Sequence, residues 1–268
     1  MKIGENMSKR RRKKNSLLKN IMIVILPVIL CVGGYYVYKN FIQEPGIPSV
    51  NKLIKEKKKM GFADKDDNKI DISNYVNHLP EYRDQYGNYD IVAKLEIPNL
   101  NIDALITRTD NNEYYLNYSL YRQWDGLGVP FIDYRNTDLV NAKQINIYGH
   151  NTQRQEFYDQ LPFTNLEAYV DQEIFNNYKD IYLSIDEKQM HYEVVAIKIL
   201  KDGNPEHTKV EFTSNGDYLK HINLLLDGSL YRSENAIFLA SDRILVLQVC
   251  HYDPMGSYLL VIAKEKKE

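Results

Sequence analysis

Cysteine is scarce in this chain of 268 residues, which has only Cys31 and Cys250. Two cysteines cannot supply the disulfide framework that staples many exported domains. The six histidines (78, 150, 191, 207, 221 and 251) form no HxH or HExxH pair, and no cysteine pair joins them. Metal binding is therefore not expected, and no cofactor is called for. No glycine pattern that would cradle a phosphate is present, no serine stands in GxSxG, and no basic–aromatic surface suggests nucleic acid. A net charge of −2 adds no reason to expect a polyanionic partner. There is no internal repeat. What survives these exclusions is thiol chemistry with a partner base.

Charge is also missing over one long stretch. Between Lys19 and Lys39 the chain reads NIMIVILPVILCVGGYYVY, nineteen residues without an ionisable acid or base of the Asp, Glu, Lys or Arg type. At about 1.5 Å per residue this spans roughly 28 Å, close to the hydrocarbon thickness of a bilayer. Tyr35, Tyr36 and Tyr38 follow Gly33–Gly34 and suit an aromatic anchor at the interface better than a peptidase cleavage site. KRRRKK at 9–14 precedes the span and predicts a cytoplasmic N-terminus, with everything beyond residue 40 outside the cell. Cys31 lies within the span, so Cys250 becomes the lone exported thiol. A free thiol in an oxidising place is a liability unless it is used.

The chain divides into a cytoplasmic basic tail (1–19), a transmembrane anchor (20–39), a juxtamembrane linker with short helices (40–87) and a β-rich domain (88–268). Within the linker, helices are expected over about 49–60 and 73–86. From Tyr89 onward short apolar runs alternate with turns: 91–98, 102–107, 129–134, 144–150, 181–185, 191–200, 244–250 and 258–264. IVAKLEIP sets Ile91, Ala93, Leu95 and Ile97 on one face and Lys94 and Glu96 on the other. Eight such runs with two helical stretches indicate a mainly β fold, a barrel or a sandwich. One helix is expected near 157–170. The other, DYLKHINLLLDG at 217–228, has capping residues Thr213–Asn215 before it and Gly228 after it.

Cys250 ends the apolar run ILVLQVC, beside His251, Tyr252 and Asp253. The residues alone leave two readings, a buried apolar thiol or a nucleophile. His150 is the best candidate base, because it ends a strand and Gly149 permits a sharp turn that would aim it outward; the competing reading is a surface turn histidine. His191 sits within a strand and reads as solvent-facing. His251 adjoins Cys250, but neighbouring strand residues point to opposite faces, which makes it a poor base for that thiol.

GVPFIDYRN (128–136), NIYGHN (146–151), DRILVLQVC (242–250) and YLLVIAKE (258–265) resemble the class B sortases, and DNNEYYLNYS (110–119) adds to the likeness. The resemblance implies an eight-stranded sortase-like β-barrel with a few peripheral helices behind a single transmembrane helix. It implies a cysteine transpeptidase that cleaves the C-terminal sorting signal of a surface protein and passes the acyl group to a peptidoglycan-precursor amine. Cys250 then takes the nucleophile's position and His150 that of the acid protonating the leaving amine. The family's TLxTC appears as Val246–Leu247–Gln248–Val249–Cys250, without its threonines. Tyr258 occupies the position of the family's arginine, the donor to the substrate carbonyl or oxyanion. Gln248, two residues before Cys250, is a second candidate donor, and Ser257 a further candidate substrate contact. Arg243 stands seven residues ahead of Cys250, a spacing that aims it at the other face of a regular strand. The loss of arginine leaves two alternatives: a catalytically impaired pseudo-sortase that binds sorting-signal peptides, and a thiol endopeptidase that transfers to water.

Overall fold

A computed structural model describes residues 75–154, 157–158, 160–201 and 205–267. The expected basic tail, membrane span and 49–60 helix lie outside the described residues. Among the described residues no helix is long and apolar enough to cross a membrane.

Among the described residues nine strands form in chain order: β1 (Ile91–Ile97), β2 (Ile102–Thr107), β3 (Phe131–Ile132), β4 (Gln144–Gly149), β5 (Asp180–Ile185), β6 (Lys188–Leu200), β7 (Tyr231–Arg232), β8 (Ile244–Tyr252) and β9 (Met255–Glu265). Their lateral order is β5-β1-β2-β3-β4-β8-β9-β6, and β6 pairs back onto β5 to close eight strands into a barrel. Closure removes the sheet edges that would otherwise need protection. β7 is an appendage to β6 of two residue pairs. It has no counterpart among the expected runs, because two residues carry no readable periodicity.

Alternation is kept where one face of a strand meets water and lost where both are covered. In β1, Ile91, Ala93, Leu95 and Ile97 are buried and the residues between them half-buried, as the alternating run requires. β8 and β9 are apolar on both faces. Leu245, Leu247, Val249, Leu259, Val261 and Ala263 fill the barrel interior. Ile244, Val246, Leu260 and Ile262 face outward into a second cluster with Tyr218, Ile222, Leu225 and Leu226. Those four come from a helix over Asn215–Leu226, whose Ser214 Oγ accepts from the Asp217 N–H as the N-cap. Lys198 on β6 holds the far end of this helix by donating to the carbonyls of Leu224 (2.9 Å) and Asp227 (2.6 Å).

The expected helix over 157–170 takes a different form. Pro162–Val170 is a run of 3₁₀ turns, followed by a short α-helix Gln172–Asn177 capped by Asp171. Phe163, Thr164, Leu166, Glu167, Ala168 and Tyr169 are all buried. A segment enclosed on so many sides has no single apolar stripe, and the helical period misjudges it. Leu79–Tyr86 is an α-helix that ends at Gly87 in the left-handed conformation, within the expected 73–86.

The turn leading into β8 is tied by Asp242. Its buried carboxylate accepts from the Leu239 N–H (2.8 Å) and lies 2.7 Å from Lys267 Nζ and 2.9 Å from Lys264 Nζ. Burial alone would raise its pKa, but the Leu239 N–H and the two ammonium groups reverse that and bring it to about 2. Unfolded, an aspartate titrates near 4, so the stability it contributes is complete above about pH 4 and lost as pH falls toward 2. Asp242→Asn is expected to lose stability at neutral pH and to show a smaller drop in Tm between about pH 5 and pH 2.5 than wild type. Equal acid slopes in the two proteins would refute this.

Candidate active site

β4 and β8 run parallel, with Gln144 against Ile244 and Gly149 against Val249 at the two ends of the register. Parallel strands finish at the same barrel end, although their connection is a long crossover. The ladder stops there, one residue short of His150 on β4's side and of Cys250 on β8's. On the other side of β8, β9 is antiparallel and sets Tyr258 directly opposite Cys250, with Leu260 opposite Gln248 and Ser257 opposite His251.

Side-chain parity then sorts these residues into two groups. Leu247 and Val249 point into the barrel, so Gln248 and Cys250 belong to the outer face that Val246 shares with the helix Asn215–Leu226. Cys250 is exposed. Its packed strand neighbours still deprive the sulfur of water and push the thiol above its ordinary range, and the carboxylate of Glu167 adds to the effect. Tyr258 is half-buried, and its ring packs against the outer apolar cluster. His251 is on the opposite face, buried, with Nδ1 3.0 Å from Glu167 Oε1.

His150 is fixed by a loop. Its Nε2 lies 2.7 Å from the Leu116 carbonyl. A carbonyl can only accept, so Nε2 carries the hydrogen and Nδ1 is left for proton exchange. The Leu116 carbonyl is held in turn by a tight backbone approach: Gly128 has φ +61°, and a Cβ there would come within 2.6 Å of Leu116 C. Gly149 has a related role. Its sharp-turn reading gives way to a packing one, since a Cβ at Gly149 would lie 2.5 Å from the ring of buried Phe163.

Two sequence-based candidates are not brought to this face. Ser257 is buried on the His251 side, where its Oγ donates to the Pro254 carbonyl at 2.6 Å, so it is corrected from a substrate contact to a turn residue. Arg243 is at the other end of β8 and donates to Ala142 O (2.9 Å) and Leu139 O (3.0 Å) while pairing with Glu265. The residues that sequence reasoning passed over are Asn151, Glu167 and Tyr252. Asn151 donates through Nδ2 to Cys250 O (2.8 Å) and Glu167 Oε1 (2.7 Å), and Tyr252 Oη donates to Asn151 O (2.9 Å). Asn151 stands inside NIYGHN, but nothing in the sequence links Glu167 to it. Among the described residues no cluster of acids, histidines and cysteines could hold a metal ion.

The strand ends carry an exposed thiol and, on the neighbouring parallel strand, an imidazole oriented by the Leu116 carbonyl, with the Tyr258 hydroxyl and Gln248 carboxamide on the thiol's strip. Such an arrangement can form a covalent acyl intermediate and pass a proton to a leaving group. No family model matches the chain. It is 28% identical over 242 residues to sortase B of Listeria monocytogenes, an alignment covering 88% of this chain and 91% of that protein. It is 23% identical over 250 residues to sortase B of Staphylococcus aureus, covering 91% and 95%. Among solved structures, sortase B of Clostridium perfringens superposes with a TM-score of 0.64 at 24% identity, over 70% of this chain and 99% of that one.

The raised thiol carries a kinetic signature. At any pH below its titration, less thiolate is present than on an unperturbed cysteine, whose pKa is about 8.5. Alkylation of Cys250 by iodoacetamide, followed by mass spectrometry, is expected to rise with pH to a midpoint above that value. A midpoint below about 8 would remove the desolvated-thiol description.

Proposed function

We propose that this chain, similar along most of its length to sortase B proteins, is a class B sortase, a membrane-anchored cysteine transpeptidase that acts on sorting signals outside the cell. The observation carrying this reading is the parallel register of β4 and β8, which brings the strand end before His150 level with the strand end before an exposed Cys250. In the proposed reaction the Cys250 thiolate attacks the carbonyl carbon of a threonine-containing peptide bond. The tetrahedral intermediate collapses as the C–N bond breaks, and His150 gives its proton to the departing amine. The resulting thioester is attacked by an amine of a peptidoglycan precursor, which forms a new amide and returns the thiol.

The oxyanion needs a donor, and Tyr258 is proposed to supply it from across the hairpin. Neutral hydrogen bonds contribute roughly 0.5–1.5 kcal/mol and charge-assisted ones about 1.5–3. A tyrosine hydroxyl in place of a guanidinium therefore slows acylation by roughly 5–30-fold. Gln248 and backbone N–H groups are the other donors on this strip. One observation favours the second reading, a peptide-binding relative with impaired chemistry: the Tyr258 ring rests on the apolar cluster. If its hydroxyl makes no contact with substrate, the missing donor costs about 100–1,000-fold.

Membrane anchoring through residues 20–39, with the barrel outside, is part of the same proposal. It is supported by the basic block at 9–14 and the uncharged segment behind it. Protease added to intact protoplasts is expected to digest the barrel, and protection of the barrel would overturn this topology. For the chemistry, the protein incubated with a library of sorting-signal peptides is expected to acquire an acyl adduct on Cys250 by mass spectrometry. Tyr258→Phe should lower the acylation rate at least about tenfold. An unchanged rate moves the donor role to Gln248 or the backbone, and the absence of any adduct favours the binding-only relative.

A further inference from the structure

The backbone ladder between β4 and β8 ends at Gly149 and Val249. Beyond that pair no strand register holds His150 against Cys250, and a buried polar cluster takes over. Glu167 enters it from the 3₁₀ segment, and Asn151, Glu167 and His251 are 7%, 8% and 2% exposed. Glu167 Oε1 accepts from Asn151 Nδ2 at 2.7 Å, and His251 Nδ1 lies 3.0 Å from Oε1 and 3.1 Å from Oε2. A carboxylate only accepts, so His251 Nδ1 carries a hydrogen. Burial disfavours charge on His251, but the Glu167 carboxylate outweighs it and leaves the imidazole raised above its ordinary range.

The second amide hydrogen of Asn151 goes to Cys250 O at 2.8 Å, and Tyr252 Oη returns a bond to Asn151 O at 2.9 Å. Two bonds in opposite directions thus cross-link the residue after His150 to the residues at and beyond Cys250. A buried ion pair adds little net stability once desolvation is counted. Its effect here is geometric: it leaves the Asn151 carboxamide one orientation.

We propose that Asn151, Glu167 and His251 are positioning residues: Glu167, held by His251, orients Asn151, which grips the Cys250 carbonyl and sets His150 at its working distance from the sulfur. This rests on the transpeptidase reading above. None of the three touches the reacting atoms, so their loss acts on turnover through a misplaced acid, and a misplacement of about 1 Å can cost on the order of 100-fold.

The test uses the full-length protein in detergent, with a sorting peptide that acylates wild type. The variants are Asn151→Ala, Glu167→Ala and Glu167→Gln, with His150→Ala as reference. Asn151→Ala and Glu167→Ala should lower kcat at least about tenfold and leave KM within about threefold. Iodoacetamide should alkylate Cys250 no more than about threefold slower in Asn151→Ala, and as fast as wild type or faster in Glu167→Ala, which removes a charge that raises the thiol. Glu167→Gln keeps an acceptor for Asn151 and a donor for a neutral His251, and should restore kcat to within about threefold of wild type. The clamp is overturned if kcat is unchanged in both alanine variants, if glutamine fails to rescue, or if alkylation falls in step with kcat. When His150→Ala abolishes turnover and the alanine variants do not, the clamp alone fails. Undiminished turnover in His150→Ala overturns the transpeptidase reading and the clamp with it.

Discussion

The parallel pairing of β4 with β8 is the contact on which the rest of the site depends. Antiparallel neighbours would send one strand end to each end of the barrel, and His150 and Cys250 could not meet. A parallel pair demands a crossover, and here it is long enough to hold β5, β6, β7 and the helix Asn215–Leu226. That helix covers the outer face of β8 and β9, which is why ILVL and LLVIA run apolar without alternation. The same covering stops short of Cys250, which stays exposed. One topological choice therefore fixes the meeting of the two strand ends, the burial of the strands below and the opening above.

Much of this was legible in the residues, and for a physical reason. Strand runs of five or more residues carry a period, and each of the eight contains a strand, although 129–134 keeps only Phe131–Ile132. The helix at Asn215–Leu226 was equally plain, because Ser214 caps it and its apolar stripe faces one way. The 3₁₀ segment Pro162–Val170 was not, since a stretch buried on nearly every side shows no helical stripe. β7 was too short to signal at all.

At the site, legibility followed sequence proximity. His150 and Cys250 stand in recognisable local runs, and Tyr258 is a hairpin partner whose position follows from counting across the turn. Ser257 was misjudged by one residue of parity, and in a hairpin one residue moves a side chain to the other face of the sheet. Glu167 could not be found in advance, because its link to Asn151 and His251 exists only once the 3₁₀ segment is packed beneath the strand ends.

The two faces of β8 also divide the electrostatics. On the outer face Cys250, Gln248 and Tyr258 bring no fixed charge, and the thiol is raised by lost solvation and by the Glu167 carboxylate. On the inner face that carboxylate accepts from His251, one residue along the chain from the thiol. His251 is thus a partner to Glu167, and alternation along the strand lets it sit beside the thiol in sequence without competing for its proton. The cation that the proposed reaction needs at the sulfur must then come from His150. Its Nε2 is committed to the Leu116 carbonyl, so the proton it exchanges is the one on Nδ1. A strip without a guanidinium places the whole charge balance of the thiolate on that single imidazole, which is why the geometry holding residue 150 to residue 250 matters more here than the identity of any one donor.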